Sequence, residues 1–204
     1  VFKSGEGSAL MLDMPRASAI IRACKKSGKR ISVKCRTGIQ EKEMFAAESA
    51  RMCEDSGADM ITIHGRSRSM MYEGTPYYQE IAQAKAAVSI PVIANGGIFS
   101  AAHAQKMMEQ TGADGIMIAR YALENPFIFS ELTRKPCNRT ILDILLEQME
   151  LASTYYDESF TLVYMRKLIS YAMKKRKGTK QYKAQLYRTG NLKELRELLL
   201  TIFS

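Results

Sequence analysis

The sequence has 204 residues, of which 46% are hydrophobic and 25% are charged, a composition typical of a globular protein with one substantial core. No apolar run approaches the roughly 20 residues of a membrane span, and the N-terminus lacks the apolar segment of a secretory signal. These features exclude an integral membrane protein of helical type, and we expect a soluble, cytoplasmic protein.

The formal net charge of +9 is concentrated towards the C-terminus. Residues 1–133 carry 16 Lys/Arg and 14 Asp/Glu, whereas residues 134–204 carry 14 and 7. A basic region of this kind is typical of proteins that bind polyanions, nucleic acid first and an anionic membrane second. A solvated, lysine-rich surface has the same composition, so the charge alone leaves both interpretations open.

In chain order, short apolar runs alternate with helical patterns over the first two thirds of the sequence. The apolar runs are 31–36, 60–64, 91–95 and 115–119, and the helical patterns lie near 15–26, 42–56, 77–87 and 100–110. This alternation predicts βαβ units and a parallel sheet. From about Thr140 the patterns are helical only, near 141–156, 161–175 and 181–187 and after the N-cap residue Asn191.

A polar residue lies at or near the end of each apolar run. Lys34, His64, Asn95 and Arg120 follow one another at intervals of 30, 31 and 25 residues, about the length of one β/α unit. Because parallel strands bring their carboxyl ends to one edge of a sheet or barrel, we expect these residues to share one site.

The last two units carry a pattern that suits a phosphate. Asn95-Gly96-Gly97 follows one strand and Ala119-Arg120 ends the next, and glycine N–H groups with an arginine are suited to an anion. In (β/α)8 barrels the loops after the seventh and eighth strands often form a phosphate site. Each feature also has a purely structural interpretation. The glycines could form an ordinary turn, Lys34 could lie on an edge strand, and His64 could be a buried core histidine.

Arginines and cysteines are the other residue types with a possible chemical role. Arg66 and Arg68 follow His64 in a predicted loop, where contact with phosphates or bases would account for them. The four cysteines, Cys24, Cys35, Cys53 and Cys137, are widely spaced and form no CxxC pair, so we expect reduced thiols and no metal site.

Several segments together resemble the tRNA-dihydrouridine synthases. They are VKCRTG (33–38), ITIHGRSR (61–68), YEG (72–74), IPVIANGGI (90–98) and TGADGIMIARYALENPFIF (111–129). The resemblance covers nearly the whole chain. It implies an α/β fold in which the last four strands of a TIM (β/α)8 barrel are followed by an all-α helical bundle. The barrel portion would be residues 1–133, which bind FMN, and the helical portion 134–204, which binds tRNA.

The resemblance also implies roles for individual residues. NADPH or NADH would reduce FMN, hydride would pass to C6 of a uracil in tRNA, and a cysteine would protonate C5. Lys34 and His64 would face the flavin, and its phosphate end would lie against Asn95, Gly96, Gly97, Ala119 and Arg120. Arg36, Arg66 and Arg68 would border the RNA, and the basic residues expected to contact its phosphates in the helical portion are Arg166, Lys167, Lys174 and Lys175.

The sequence departs from the family pattern at three points. NGG replaces the usual NGD, Ala119 replaces the usual glycine, and the catalytic cysteine of the family would lie upstream of Val1. We therefore expect the C-terminal part of such an enzyme, inactive alone and with no catalytic residue of its own. Two alternatives remain: a non-catalytic RNA-binding remnant, and another flavin-dependent TIM-barrel oxidoreductase that acts on a small molecule. The sequence does not predict the oligomeric state.

Overall fold

A computed structural model describes residues 1–174 and 176–204 of the chain. These residues divide into two compact units, Val1–Ile118 and Ala119–Ser204. The family resemblance instead implied a functional division between residues 133 and 134, and that division stays a prediction. None of the helices in the described part of the chain combines the length and the apolarity that a membrane crossing requires.

The first unit contains a parallel sheet whose four strands lie in sequence order, β1-β2-β3-β4. The strands are β1 (Ser32–Arg36), β2 (Met60–His64), β3 (Val92–Asn95) and β4 (Gly115–Met117). The helices are α1 (Met14–Lys25), α2 (Ala46–Asp55), α3 (Tyr78–Ala87) and α4 (Ala101–Thr111), and two 3₁₀ helices, Phe2–Ser4 and Gly7–Leu12, precede them. The predicted βαβ alternation and parallel sheet are confirmed.

Two element boundaries of the first unit differ from the prediction by more than one residue. The helical pattern 42–56 forms a helix only from Ala46, because residues before it form a turn in which the Phe45 N–H donates to the Thr37 carbonyl at 2.7 Å. The apolar run 115–119 is a strand only as far as Met117, and Ala119 caps the next helix. In both cases local apolar or helical propensity continues past the point where tertiary hydrogen bonds redirect the chain.

The core of the first unit follows from the alternation of side chains along each strand. Ile61, Ile63, Val92 and Ala94 occupy alternate positions of β2 and β3, and all four are fully buried. Helices α2, α3 and α4 contact these strands and cover this face. The opposite face carries the polar residues of the strands, so the helices leave it for other contacts.

A repeated tripeptide fixes the starts of the strands. Gly-Ala-Asp occurs at 57–59 and 112–114, directly before β2 and β4. Asp59 accepts a hydrogen bond from the Ile31 N–H at 2.7 Å, and Asp114 accepts one from the Val92 N–H at 2.7 Å. Each carboxylate therefore ties the start of its own strand to the start of the preceding one. Hydrogen bonds from the paired lysines, Lys25 and Lys85, are the largest cause that lowers the pKa of Asp59 and Asp114.

The second unit is built from helices. They are α5 (Arg120–Glu124), α6 (Ile128–Thr133), α7 (Ile141–Tyr155), α8 (Glu158–Met173), α9 (Lys183–Arg188) and α10 (Leu192–Phe203). Their core includes Met165, Ile169, Leu186, Leu195 and Leu199, all fully buried. Helix α7 begins with a capping box in which Thr140 and Asp143 exchange hydrogen bonds, and Asn191 caps α10 as predicted, accepting from the Glu194 N–H at 2.9 Å.

Candidate functional site

Strand register brings the predicted site residues of the first unit into one row. Arg36 pairs with His64, His64 with Asn95, and Asn95 with Met117, each pair at the carboxyl end of its strand. Residues paired in this way point to the same face of a sheet, and so does a residue two positions earlier, such as Lys34. The sheet therefore gathers one amine, one guanidinium, one imidazole and one amide on the face that α2–α4 do not cover.

Lys34 and Asn95 are joined by a hydrogen bond. Lys34 Nζ donates to Asn95 Oδ1 at 3.2 Å, and Asn95 Nδ2 donates to the Met117 carbonyl at 2.8 Å. Burial is the largest cause that lowers the pKa of Lys34, while Cys35 acts in the opposite direction. A partly desolvated amine at the mouth of a sheet is a good donor to a polar or anionic partner.

Gly96 and Gly97 bring the backbone unusually close to neighbouring side chains. Their φ angles are +116° and +68°. A Cβ at residue 96 would lie 2.7 Å from His64 Cδ2, and a Cβ at residue 97 would lie 2.7 Å from Pro76 Cγ. Both positions thus require glycine. Among the described residues, neither glycine N–H donates a backbone hydrogen bond, and both residues are half-buried, which leaves two donors for an anion.

His64 is buried at the end of β2, with 7% of its surface exposed. Its ring lies 6.4 Å from the ring of Tyr72, measured between centroids. Sequence reasoning missed Tyr72 as a neighbour of the site, although the segment YEG contributed to the resemblance. The path of the loop after β2 brings Tyr72 to His64, and no periodic pattern in the sequence predicts that path.

Two of the predicted RNA-facing arginines hold that loop. Arg66, only 4% exposed, donates from Nε to the Glu73 carbonyl at 2.9 Å and from Nη2 to the Gly74 carbonyl at 2.8 Å. Arg36 Nη1 donates to the carbonyls of Ser67 at 3.0 Å and Met71 at 3.2 Å. The structure gives both side chains a role in fixing residues 67–74, and RNA contact by them stays a prediction.

Arg68 differs from the other two arginines because its side chain is exposed. Its guanidinium lies over the Phe2 ring, 4.3 Å from the ring centroid. Of the three arginines expected at the RNA border, it is the one whose position suits contact with an outside anion.

The predicted residues of the second unit fall into different environments. Arg166 is half-buried and donates to the Thr189 carbonyl, whereas Lys167 is exposed and forms no ion pair within the described part of the chain. Lys174 Nζ lies 3.0 Å from Glu124 Oε1. Lys175 lies outside the described residues, Ala119 is the N-cap of α5, and Arg120 is the first residue of that helix.

The cysteines are free thiols. Burial raises the pKa of Cys53 to about 11 and that of Cys35 to about 12, with Cys53 contributing to the second shift. Neither thiol is therefore suited to donate a proton near neutral pH. Within residues 1–174 and 176–204, no group of three or more His, Cys, Asp or Glu side chains is arranged to hold a metal ion.

At its carboxyl edge the parallel sheet carries amine, imidazole and amide groups beside close-packed glycines. Such an arrangement is typical of enzymes that bind a phosphate-bearing cofactor or substrate. Residues 1–203 match the family described as dihydrouridine synthase (Dus). The chain therefore belongs to the dihydrouridine synthase family.

Individual relatives agree with this assignment. The chain is 33% identical to a probable tRNA-dihydrouridine synthase 1 of Synechocystis sp., over 98% of this chain and 59% of that protein. It is 37% identical to a probable tRNA-dihydrouridine synthase of Rickettsia bellii, over 79% and 52%. It is 32% identical to tRNA-dihydrouridine synthase B of Pseudomonas aeruginosa, over 92% and 60%. The chain thus spans between 52% and 60% of the length of these relatives.

A solved structure of nitroalkane oxidase from Streptomyces ansochromogenes overlaps with 52% of this chain and 31% of its own, at 22% identity and a TM-score of 0.37. A similarity of this size carries no argument about fold or function.

Proposed function

We propose that this chain supplies the flavin-facing strand ends and an RNA-binding surface of an enzyme that reduces uridine to 5,6-dihydrouridine in tRNA. Membership of the dihydrouridine synthase family supports the reaction class. The observation that carries the proposal is the hydrogen-bonded pair of Lys34 and Asn95 beside Gly96 and Gly97. Because the chain spans little more than half of the length of its relatives, the activity of the whole protein is part of the proposal.

We further propose that the sheet is part of a TIM barrel. Four parallel strands in sequence order, with a helix between each pair of neighbours, correspond to half of a (β/α)8 repeat. In that architecture catalytic and cofactor-binding groups lie at the carboxyl ends of the strands. The row of Arg36, His64 and Asn95 lies at that edge.

The residues present suit FMN. Lys34, His64 and Asn95 offer donors of the kind that hold the polar edge of a flavin ring. The N–H groups of Gly96 and Gly97, which donate to no backbone carbonyl of the described residues, suit its phosphate. A bound, reduced FMN would supply hydride for C6 of the uracil, with NADPH or NADH as the source of reducing equivalents. A phosphate contact by Ala119 and Arg120, which belong to the second unit, stays a prediction from the resemblance.

This chain's own residues would then orient the reactants. The Lys34 amine is held at the strand ends by Asn95, where it can donate to an electronegative atom of the ring. The loop fixed by Arg36 and Arg66 would cover the site next to His64. No cysteine of this chain is assigned to protonate C5. Burial raises the pKa of the Cys35 and Cys53 thiols, and Cys24 and Cys137 lie outside the segments that carry the family resemblance.

Expression of the whole protein to which this chain belongs, in a strain that lacks its own dihydrouridine synthases, tests the proposal. Dihydrouridine should appear in total tRNA, as measured by mass spectrometry of nucleosides, and Lys34→Met should lower it. In a fluorescence titration with FMN, Lys34→Met should weaken binding about 10-fold, since a charged hydrogen-bond donor is lost. Lys29→Met, which removes an exposed lysine from the same unit, should change neither quantity.

Three results would contradict the proposal in different ways. Binding of tRNA without any dihydrouridine would indicate a non-catalytic RNA-binding protein. FMN-dependent reduction of a small molecule, with no binding of tRNA, would indicate another flavin oxidoreductase. Equal FMN affinity of the wild type and Lys34→Met would remove Lys34 from the cofactor site.

A further inference from the structure

Helix α8 and its C-cap residue Lys174 share a face that carries two aromatic, two basic and one aliphatic side chain, four of them exposed. We call this face the α8 stripe; it consists of Phe160, Val163, Lys167, Tyr171 and Lys174. These residues recur every three or four positions and so lie along one side of the helix. The opposite side carries Met165 and Ile169, which are fully buried in the core of the second unit.

The stripe is not explained by core packing. Phe160 is 48% exposed and Val163 is 65% exposed, whereas Met165 and Ile169 of the same helix have no exposed surface. Scattered exposed apolar residues are normal, but a run of them with aromatic neighbours usually marks a contact surface. The stripe is therefore a candidate contact surface for another molecule.

Neighbouring rings extend the aromatic surface. Tyr156, the C-cap residue of α7, is 54% exposed, and its ring is stacked on Phe160 with centroids 4.3 Å apart and planes 28° apart. The Tyr164 ring lies 6.4 Å from Phe160 at an interplanar angle of 12°. These contacts place three aromatic rings at one end of the stripe, where another flat ring can stack on the exposed ring of Tyr156.

At the other end, the stripe borders a groove of about 520 Å³ between α8 and α9. Lys167, Tyr171 and Lys174 line it from α8, and Tyr187 lines it from α9. Tyr187 is 53% exposed, and its hydroxyl lies 3.0 Å from Ser170 Oγ. This volume lies within the range of small-ligand pockets and combines polar, aromatic and cationic walls.

The two lysines of the stripe differ in how their charge is balanced. Lys174 pairs with Glu124 and lies 4.0 Å from the centroid of the Tyr171 ring. Lys167 is exposed and has no ion pair within the described part of the chain. In a region where residues 134–204 carry 14 Lys/Arg against 7 Asp/Glu, Lys167 is thus the cation of the stripe that is open to an outside anion.

From these contacts we infer that the α8 stripe, with Tyr156 and Tyr187, binds an unpaired segment of RNA. The bases would stack on the aromatic rings, and a phosphate would contact Lys167. Unpaired bases expose their faces for stacking, whereas the bases of a duplex are already stacked on each other. A surface that bound only duplex RNA would need cations but no exposed rings. This inference rests on the proposed function and adds to it that a loop of the tRNA is bound here.

The experiment compares two RNA probes by fluorescence anisotropy with the intact protein. One probe is a labelled hairpin with an unpaired loop, and the other is a fully paired duplex of the same length. Phe160→Leu keeps an apolar side chain but removes the ring, and it should weaken hairpin binding about 5- to 100-fold with little effect on the duplex. Phe160→Tyr should retain hairpin binding, because it restores a ring.

A charge variant tests the phosphate contact separately. Lys167→Gln should weaken hairpin binding. It should also reduce the slope of log Kd against log salt concentration by about one, which corresponds to the loss of one phosphate contact. The matched controls are Phe129→Leu, at a phenylalanine that is 50% exposed on α6, and Lys193→Gln, at an exposed lysine of α10. Both controls should bind the hairpin as the wild type does.

Several outcomes would overturn the inference. It fails if Phe160→Leu and Phe129→Leu bind the hairpin equally well, or if the loss is the same for hairpin and duplex. The stripe would instead be a protein contact if the wild type formed a dimer, Phe160→Leu disrupted that dimer, and RNA did not compete with it. In each case the wild type would still form dihydrouridine, so the proposed function would stand. The loss of dihydrouridine formation and of all RNA binding in the wild type would overturn both.

Discussion

Gly96 lies where the chain leaves β3 and passes the imidazole of His64. Its φ of +116° is outside the region that other residues adopt at low cost, and a Cβ there would lie 2.7 Å from His64 Cδ2. From the sequence, the segment Asn95-Gly96-Gly97 indicated a turn or a phosphate loop. The structure adds a steric reason that depends on His64, which precedes Gly96 by a whole β/α unit.

Gly96→Ala should therefore destabilise the protein by about 2–4 kcal/mol, from backbone strain and from displacement of the imidazole. The free energy of unfolding in urea measures the effect. Gly28→Ala is the matched control, because Gly28 also has a positive φ, +72°, but a Cβ added there would meet no atom within 4 Å. Its cost should be about 1 kcal/mol.

The contribution of His64 is separable by a double-mutant cycle. In a His64→Ala background, Gly96→Ala should lose about 1 kcal/mol or more of its cost, because the ring that it displaces is gone. Gly28→Ala should cost the same in both backgrounds. If Gly96→Ala is equally destabilising with and without His64, the contact between the two residues does not constrain position 96.

At the scale of the elements, the sequence predicted the strands and helices well because each buries one face. The runs near 31–36, 60–64 and 91–95 correspond to β1, β2 and β3 within one residue at each end. The row of site residues at the strand ends followed from the same periodicity. The loop after β2 did not, since its path depends on hydrogen bonds from arginines to carbonyl groups several residues away.

Arg66 is one of the two buried or half-buried arginines that hold that loop. Its buried guanidinium reaches the carbonyls of both Glu73 and Gly74, a geometry that a lysine ammonium does not reproduce. Arg66→Lys should lower the free energy of opening of the loop by about 2–3 kcal/mol. Hydrogen exchange of the Arg68 and Ser69 amides, which donate to the Gly38 and Ile39 carbonyls, should accelerate accordingly.

Arg68→Lys is the control for this prediction. Arg68 belongs to the same loop, but its exposed side chain is positioned over the Phe2 ring and not against loop carbonyls. Its replacement should leave exchange of the loop amides within experimental error. Exchange that is unchanged in Arg66→Lys would show that other contacts hold the loop.

At the scale of the whole molecule, each compact unit has a core of its own. Ile81 is fully buried in the first unit and Ile169 is fully buried in the second. The described buried residues of the cluster around Ile169 lie between Ile141 and Phe203, and Phe127 packs against them. The two cores are thus separate in sequence, and we expect their local stabilities to respond separately to substitution.

Ile81→Ala and Ile169→Ala test this expectation, and each is the control for the other. Both remove the same atoms from a site with no exposed surface, so each should cost about 2–5 kcal/mol. Native-state hydrogen exchange should show the loss of protection in α2–α4 and the sheet for Ile81→Ala, and in α7–α10 for Ile169→Ala. An equal loss across both units would instead show that they open as one cooperative structure. Separate responses would mean that substitutions in the α8 stripe can be read as effects on RNA binding, without a disturbance of the strand-end site.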